Sequence, residues 1–135
     1  MFLLDTNVIS ELRKLGDGMA HARVTAWFSG QDATRFYVSA LTLMELEIGI
    51  LRLERRDARQ GERFRTWMDC HVLTEFQERT LPVDSTVALK CAHLHVPDPK
   101  PQRDALIAAT AIIHGMTVVT GNVAGVEVFD PWSGR

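Results

Sequence analysis

Cysteine is scarce in this chain of 135 residues: only Cys70 and Cys91 occur, far apart and in no C-x-x-C pairing. Two such residues make neither a disulfide framework nor a thiolate metal site, and they read as buried thiols. The histidines His21, His71, His93, His95 and His114 fall in no zinc spacing. His93 and His95 are two residues apart and would not share a helix face. No apolar stretch is long enough to span a bilayer, and Met1-Phe2-Leu3-Leu4-Asp5 lacks the basic segment and small-residue cleavage site of a secretory signal. Repeats, low-complexity runs and linkers are missing, as are a phosphate-cradling glycine loop and a nucleophile elbow. Positive charge is not in excess either: the formal net charge is −2, no footprint for a strong, constitutive nucleic-acid binder. Acids clustered in a metal site would lower that sum without altering a basic rim. These absences lead to the expectation of a cytoplasmic protein with no membrane partner.

What is present is an ordinary globular composition, 46% hydrophobic and 24% charged, in a length suited to one domain over residues 1–135. Short apolar or β-branched runs at Phe2-Leu4, Phe36-Ser39, Thr80-Val83, Thr117-Thr120 and Val126-Phe129 predict strands. Helical stretches are expected over 6–14, 20–28, 40–56, 58–78, 84–94 and 103–114. Asp84 reads as an N-cap and Gly115 as a helix stop. Strands alternating with helices predict an α/β fold, a mostly parallel sheet covered on both faces. The proline-set segment Val96-Pro97-Asp98-Pro99-Lys100-Pro101 is a stiff loop leading into Asp104.

Three carboxylates have informative positions. Asp5 ends the first strand, where open α/β sheets place ligand chemistry; it serves equally well as the cap of the next helix. The helix over 40–56 carries two apolar stripes: Leu41, Met44, Ile48 and Leu51, and, roughly opposite, Leu43, Leu46, Ile50 and Leu53. Two stripes imply two packing partners, the sheet and either another helix, a second subunit or a partner protein. The latter stripe is the candidate partner contact. Glu45 lies between them with Gly49 one turn later, a residue that costs helix stability and leaves the carboxylate uncovered. An ordinary solvated glutamate is the competing explanation. Asp104 heads a helix apolar nearly all round, with Ala108 and Ala111 small enough to let it approach the sheet. A carboxylate there either stabilises the helix N-terminus or needs a cation as partner. If the three converge, an oxygen-only donor set selects Mg²⁺ or Mn²⁺. The matching chemistry is metal-assisted phosphodiester hydrolysis, with ions about 3.5–4 Å apart where two are used.

The segments Asp5-Thr6-Asn7-Val8-Ile9-Ser10-Glu11, Leu43-Met44-Glu45-Leu46-Glu47-Ile48-Gly49, Asp104-Ala105-Leu106-Ile107-Ala108-Ala109-Thr110-Ala111 and Asp130-Pro131-Trp132 together resemble a PIN-domain ribonuclease. The resemblance is to the toxin subunit of a bacterial VapBC or FitAB-type toxin–antitoxin pair, and it covers essentially the whole chain. It implies a PIN-like, mostly parallel five-stranded sheet sandwiched between helices. It also implies Asp5, Glu45 and Asp104 as catalytic metal-binding residues, Mg²⁺ or Mn²⁺ as cofactor, and RNA as an endonucleolytic substrate. The implied partner is a cognate antitoxin that blocks the site and engages DNA through its own binding region, the toxin being a homodimer or a hetero-oligomer with it. One departure stands out. The family follows Thr-Val-Val-Thr with an Arg-Asn pair and a fourth acid, whereas this chain reads Thr120-Gly121-Asn122-Val123-Ala124-Gly125. Asn122, Thr120 and Asn7 are left as auxiliary polar groups.

Arg52, Arg55, Arg56, Arg59, Arg63 and Arg65 outnumber the acids around them. A solvated helical face explains them; Arg52 and Arg56 are also candidates for RNA phosphate or partner contacts. Trp27, Trp67 and Trp132 read as core residues rather than base-stacking platforms. Two other functions compete with the nuclease. One is a weakly active or inactive partner-binding PIN-like protein in a regulatory complex. The other, an aspartyl-phosphate phosphotransferase, wants a second acid two residues after Asp5, where Asn7 stands.

Overall fold

The strands are the short apolar runs, and their order puts the first of them in the middle. The computed structural model describes residues 1–16, 29–122 and 125–129. Strands β1 (Phe2–Leu4), β2 (Phe36–Ser39), β3 (Thr80–Leu81), β4 (Thr117–Asn122) and β5 (Gly125–Phe129) form one sheet in the order β3-β2-β1-β4-β5. β1 pairs in parallel with β2 and with β4, and β2 in parallel with β3; β5 returns antiparallel along β4. The sheet is therefore five-stranded and mostly parallel, as expected. β3 stops at Leu81 rather than Val83, because Pro82 has no N–H to give to a ladder. The helix expected over 20–28, together with His21, Trp27, Trp132 and the closing Asp130-Pro131-Trp132, lies outside the described residues.

Among the described residues the longer helices are α1 (Thr6–Gly16), α2 (Ala40–Arg56), α3 (Ala58–Trp67), α4 (Ser85–Leu94) and α5 (Gln102–His114). Asp84 caps α4 by accepting the Val87 N–H, and Gly115 ends α5 in the left-handed conformation at φ 65°. The single helix expected over 58–78 is interrupted: α3 passes into a π-helical turn, Met68–Val72, and a last turn at Leu73–Glu75. The wider turn keeps residues four apart in line, so that Met68, Val72 and Phe76 are all buried in one cluster.

Side chains alternate across the sheet, as a two-sided core requires. Leu4, Val38 and Val119 pack on one face with Val8, Leu46, Ile50 and Val72. Leu3 and Val118 pack on the other with Ile107 and Ala111 of α5. Val87, Cys91, Ala105 and Ala109 then join α4 to α5. Trp67 packs against the first cluster, in keeping with its reading as a core residue. Of the two cysteines only Cys91 is buried; Cys70 is exposed on the π turn, against the expectation for it.

The two stripes of α2 exchange roles relative to the expectation. Leu46 and Ile50 are buried in the sheet core, with Leu43 packed against them. On the other stripe Leu41 packs against the α5-side cluster, while Met44, Ile48 and Leu51 are 51%, 38% and 50% exposed. The apolar spacing of both stripes is the same; what separates them is the rotation of the helix about its axis, set where it leaves β2. There Ser39 caps α2 by accepting the Leu41 N–H.

A one-residue corner at Asp57 turns α2 into α3. Asp57 donates its N–H to the Leu53 carbonyl and accepts the Gln60 N–H on its side chain. The helices meet where Gly61 lies against Glu54: a Cβ on Gly61 would stand 2.6 Å from the Glu54 Cα. Beyond this contact Arg65 grips Glu47 through both nitrogens, at 2.7 and 2.8 Å, and Glu54 at 3.1 Å. Hydrogen bonding from Arg65 holds the Glu47 carboxyl below its ordinary range. Within the arginine-rich stretch, Arg65 therefore belongs to a helix–helix joint.

Candidate functional site

Asp5 stands at the junction of β1 and α1. Its N–H donates to the Val119 carbonyl at 3.0 Å, extending the β1–β4 ladder by one step. Its own carbonyl accepts from Val8 and Ile9, opening α1. Among the described residues the side chain uses Oδ1, which accepts the Thr6 N–H at 2.7 Å. A dedicated cap would reach the second or third helical N–H; this one stops at the first, and no hydrogen bond to Oδ2 forms among the described residues. Burial pushes the Asp5 carboxyl above its ordinary range. The Thr6 N–H and the nearby Arg103 pull it down, and Asp104 and Glu45 push it up again.

Those same influences show which groups gather at the carboxyl end of β1. Glu45, on α2, accepts the Thr6 hydroxyl on Oε1 at 2.7 Å and pairs through Oε2 with Arg103 Nη1 at 3.1 Å. Arg103 and Asp104 sit together in the first turn of α5. The structure thus brings all three predicted carboxylates to one edge of the sheet. Among the described residues, however, no three acidic, histidine or cysteine side chains stand at metal-enclosing distances.

Asp104 differs from the expectation in one respect: it is exposed. The burial of α5 begins at Ala105, so its first turn projects past the sheet, and the cost of an unpartnered buried charge does not arise. What recommends Asp104 is its closeness to Asp5. Thr120, half-buried on β4, follows Val119, the register partner of Leu4, and so lies beside Asp5 at the same edge. Asn7 is exposed in the first turn of α1. Asn122 prolongs β4 with Gly125 as register partner; its side chain is outside the described residues. Arg52 and Arg56 are exposed, with no ion pair among the described residues.

Thr6 and Arg103 are the residues that sequence reasoning passed over. Thr6 was visible only as part of the turn after Asp5, and nothing in its spacing announces a bond to a residue 39 positions away. Arg103 stands next to Asp104, and that adjacency was the one available signal. Gly49 needs a correction: a Cβ there would meet nothing within 4 Å, Glu45 included. The glycine is therefore not what exposes Glu45. Gly49→Ala should raise stability by about 0.8–1 kcal/mol through helix propensity alone, read as a higher melting temperature. An unchanged or lower value would show that the open space beside Gly49 is not open.

The chain is similar to known proteins over most of its length. A family model described as the PIN domain matches residues 2–124. The VapC ribonuclease Y4jK of Sinorhizobium fredii is 33% identical over 98% of this chain and 98% of its own. Toxin FitB of Neisseria gonorrhoeae is 34% identical over 98% of this chain and 99% of its own. A solved structure of FitAB bound to an IR36 DNA fragment contains a chain that superimposes with a TM-score of 0.80 at 33% identity, covering 98% of this chain and 96% of that one. With a family match of this extent, and relatives alike over nearly their full length, the chain belongs to the PIN-domain family, alongside its VapC- and FitB-like members.

Proposed function

We propose that this protein is a metal-dependent endoribonuclease, the toxin of a type II toxin–antitoxin pair, hydrolysing RNA phosphodiesters at the Asp5 edge of the sheet. The observation that carries this reading is the meeting of Asp5, Glu45 and Asp104 at the carboxyl end of β1 in a chain of PIN lineage. The donor set suits a hard divalent cation. It offers only oxygens, one Asp5 oxygen makes no hydrogen bond among the described residues, and Asp104 and Glu45 both raise the proton affinity of Asp5. Asp5 and Asp104, with Glu45, would hold Mg²⁺ or Mn²⁺. Bound there, the ion would supply charge neutralisation at the phosphate and activation of the attacking water.

The chain's own residues do the positioning. Thr6 fixes one oxygen of Glu45 and, through its N–H, one oxygen of Asp5. Arg52 and Arg56 lie seven and eleven residues beyond Glu45, which puts them on nearly the same face of α2, about 10 and 16 Å along its axis. From there they would hold successive RNA phosphates leading away from the cut.

The deciding experiment is cleavage of single-stranded and structured RNA by purified protein with Mg²⁺ or Mn²⁺ against EDTA. Cleavage that persists in EDTA would sink the mechanism. The competing reading, a weakly active partner-binding protein, is favoured by the chain's lack of the usual fourth acid in Thr120-Gly121-Asn122. It gains if folded protein cuts no RNA at any divalent concentration.

An antitoxin partner, with DNA engaged only through it, belongs to the same proposal; it is supported by a similar chain found in the FitAB complex bound to a DNA fragment. The exposed Met44, Ile48 and Leu51 supply uncovered apolar surface for such a partner or for a second copy. Ile48→Asp should loosen the partner in co-purification while leaving the melting temperature nearly unchanged. Leu46→Asp should unfold the domain, since Leu46 is core. If Ile48→Asp also unfolds it, the exposed strip is structural rather than a contact.

A further inference from the structure

Arg103 holds a place at the carboxylate edge that the reaction described above does not use. Its Nη1 is 3.1 Å from Glu45 Oε2, while Glu45 Oε1 accepts from Thr6 at 2.7 Å. Each oxygen of the glutamate thus has one protein donor, a hydroxyl on one side and a guanidinium on the other. Arg103 also draws down the proton affinity of Asp5, so its charge is felt by two of the three acids. The pair is unequal: the Glu45 side chain is 18% exposed and that of Arg103 45%. Thr6 and the walls of the site fix the carboxylate, and the arginine is the member with water to move into. A divalent ion that takes Glu45 Oε2 as a ligand competes with it for that oxygen.

We propose that Arg103 is a positioning residue that serves as an internal counter-cation, competing with the divalent ion for Glu45 and thereby setting the metal affinity of the site; the inference rests on the metal-dependent reading above. Arg103 and Asp104 are neighbours on one helical turn, so competitor and ligand are presented together. With the arginine on Glu45, one of the three acid charges is offset and Glu45 Oε2 is taken up by the guanidinium. With the arginine displaced, Glu45 is free to join Asp5 and Asp104. An ion pair whose basic partner is largely solvated is weak, so the exchange responds to cation concentration rather than blocking the site outright.

The test is Mn²⁺ titration of the purified protein, following free Mn²⁺ by electron paramagnetic resonance, with no RNA present. Arg103→Gln should tighten Mn²⁺ binding by roughly two- to fivefold, the range expected on removing an ion pair of this exposure. Arg103→Lys, which keeps the charge, should stay near the parent affinity, and it preserves the test should Arg103→Gln misfold. Lys100→Gln removes an equal charge just ahead of the same helix without touching Glu45, and should leave the affinity unchanged. The proposal is overturned if Arg103→Gln binds Mn²⁺ no tighter than the parent, or if Lys100→Gln tightens binding as much, which would reduce the effect to a diffuse field. Parent protein that binds Mn²⁺ saturably, and Asp5→Asn that does not, keep the metal site standing in either case. Failure of both Arg103→Gln and the parent to bind removes the metal site itself, and this role of Arg103 with it.

Discussion

Asp5→Asn is expected to lower RNA cleavage by on the order of a hundredfold or more while making the protein harder to melt. The two effects have one cause. Asp5 is a partly buried carboxylate whose folded-state pKa is raised, first by burial and then by Asp104 and Glu45. A group that holds its proton more tightly when folded makes stability fall as pH rises from its unfolded pKa through its folded one. Above that window the ionised Asp5 opposes folding. Asparagine removes the charge, and its Oδ1 still accepts the Thr6 N–H that the aspartate accepts at 2.7 Å. The melting temperature of Asp5→Asn at neutral pH should therefore exceed the parent's, and the gap should close on acidification below the folded pKa. Added Mg²⁺ should raise the melting temperature of the parent more than that of the variant, because only the parent gains a full ligand set. Undiminished cleavage, or a variant that melts below the parent at neutral pH, would contradict this account of Asp5.

Gly61→Ala is expected to destabilise the domain by about 1–3 kcal/mol, the range for overpacking a filled contact. Propensity alone predicts the opposite, a gain of about 1 kcal/mol on replacing a helical glycine with alanine. The structure decides the sign. An alanine Cβ would lie 2.6 Å from the Cα of Glu54 and 3.0 Å from its backbone nitrogen. Backbone atoms of a neighbouring helix do not move aside cheaply, so α2 and α3 would have to separate at their one-residue corner. That separation would also strain the Arg65 pairs with Glu47 and Glu54. Thermal denaturation of Gly61→Ala beside Gly49→Ala gives a matched pair: two helical glycines, equal propensity gains, and opposite expected shifts. A Gly61→Ala protein as stable as its parent would show that the α2–α3 contact is looser than described.

Much of this molecule could be read before any coordinates. Apolar runs of two to six residues gave β1, β2 and β4 to within a few residues, and alternation with helices gave a mostly parallel sheet. Asp84 and Gly115 marked helix ends because each does a job few other residues do as well. The acids Asp5, Glu45 and Asp104 were legible as candidates because each has a telling position in its own element. Other features resisted. The π turn at Met68–Val72 has no local signature, since it exists to keep three side chains aligned on a core. The burial of Asp104 was misjudged because sequence does not say how far a helix extends past a sheet.

The sequence by itself determined most of the strands, the helix ends at Asp84 and Gly115 and the places of the candidate carboxylates within their own elements, all of which depend on residues within a few positions of one another. The tertiary structure alone decided which α2 stripe is core, that Gly61 is crowded and Gly49 is not, and that Thr6 and Arg103 hold Glu45 between them. Those outcomes depend on the rotation and spacing of elements packed from distant parts of the chain. A helix with two equal apolar faces, or a glutamate with two possible partners, takes its role from the neighbours the fold brings to it.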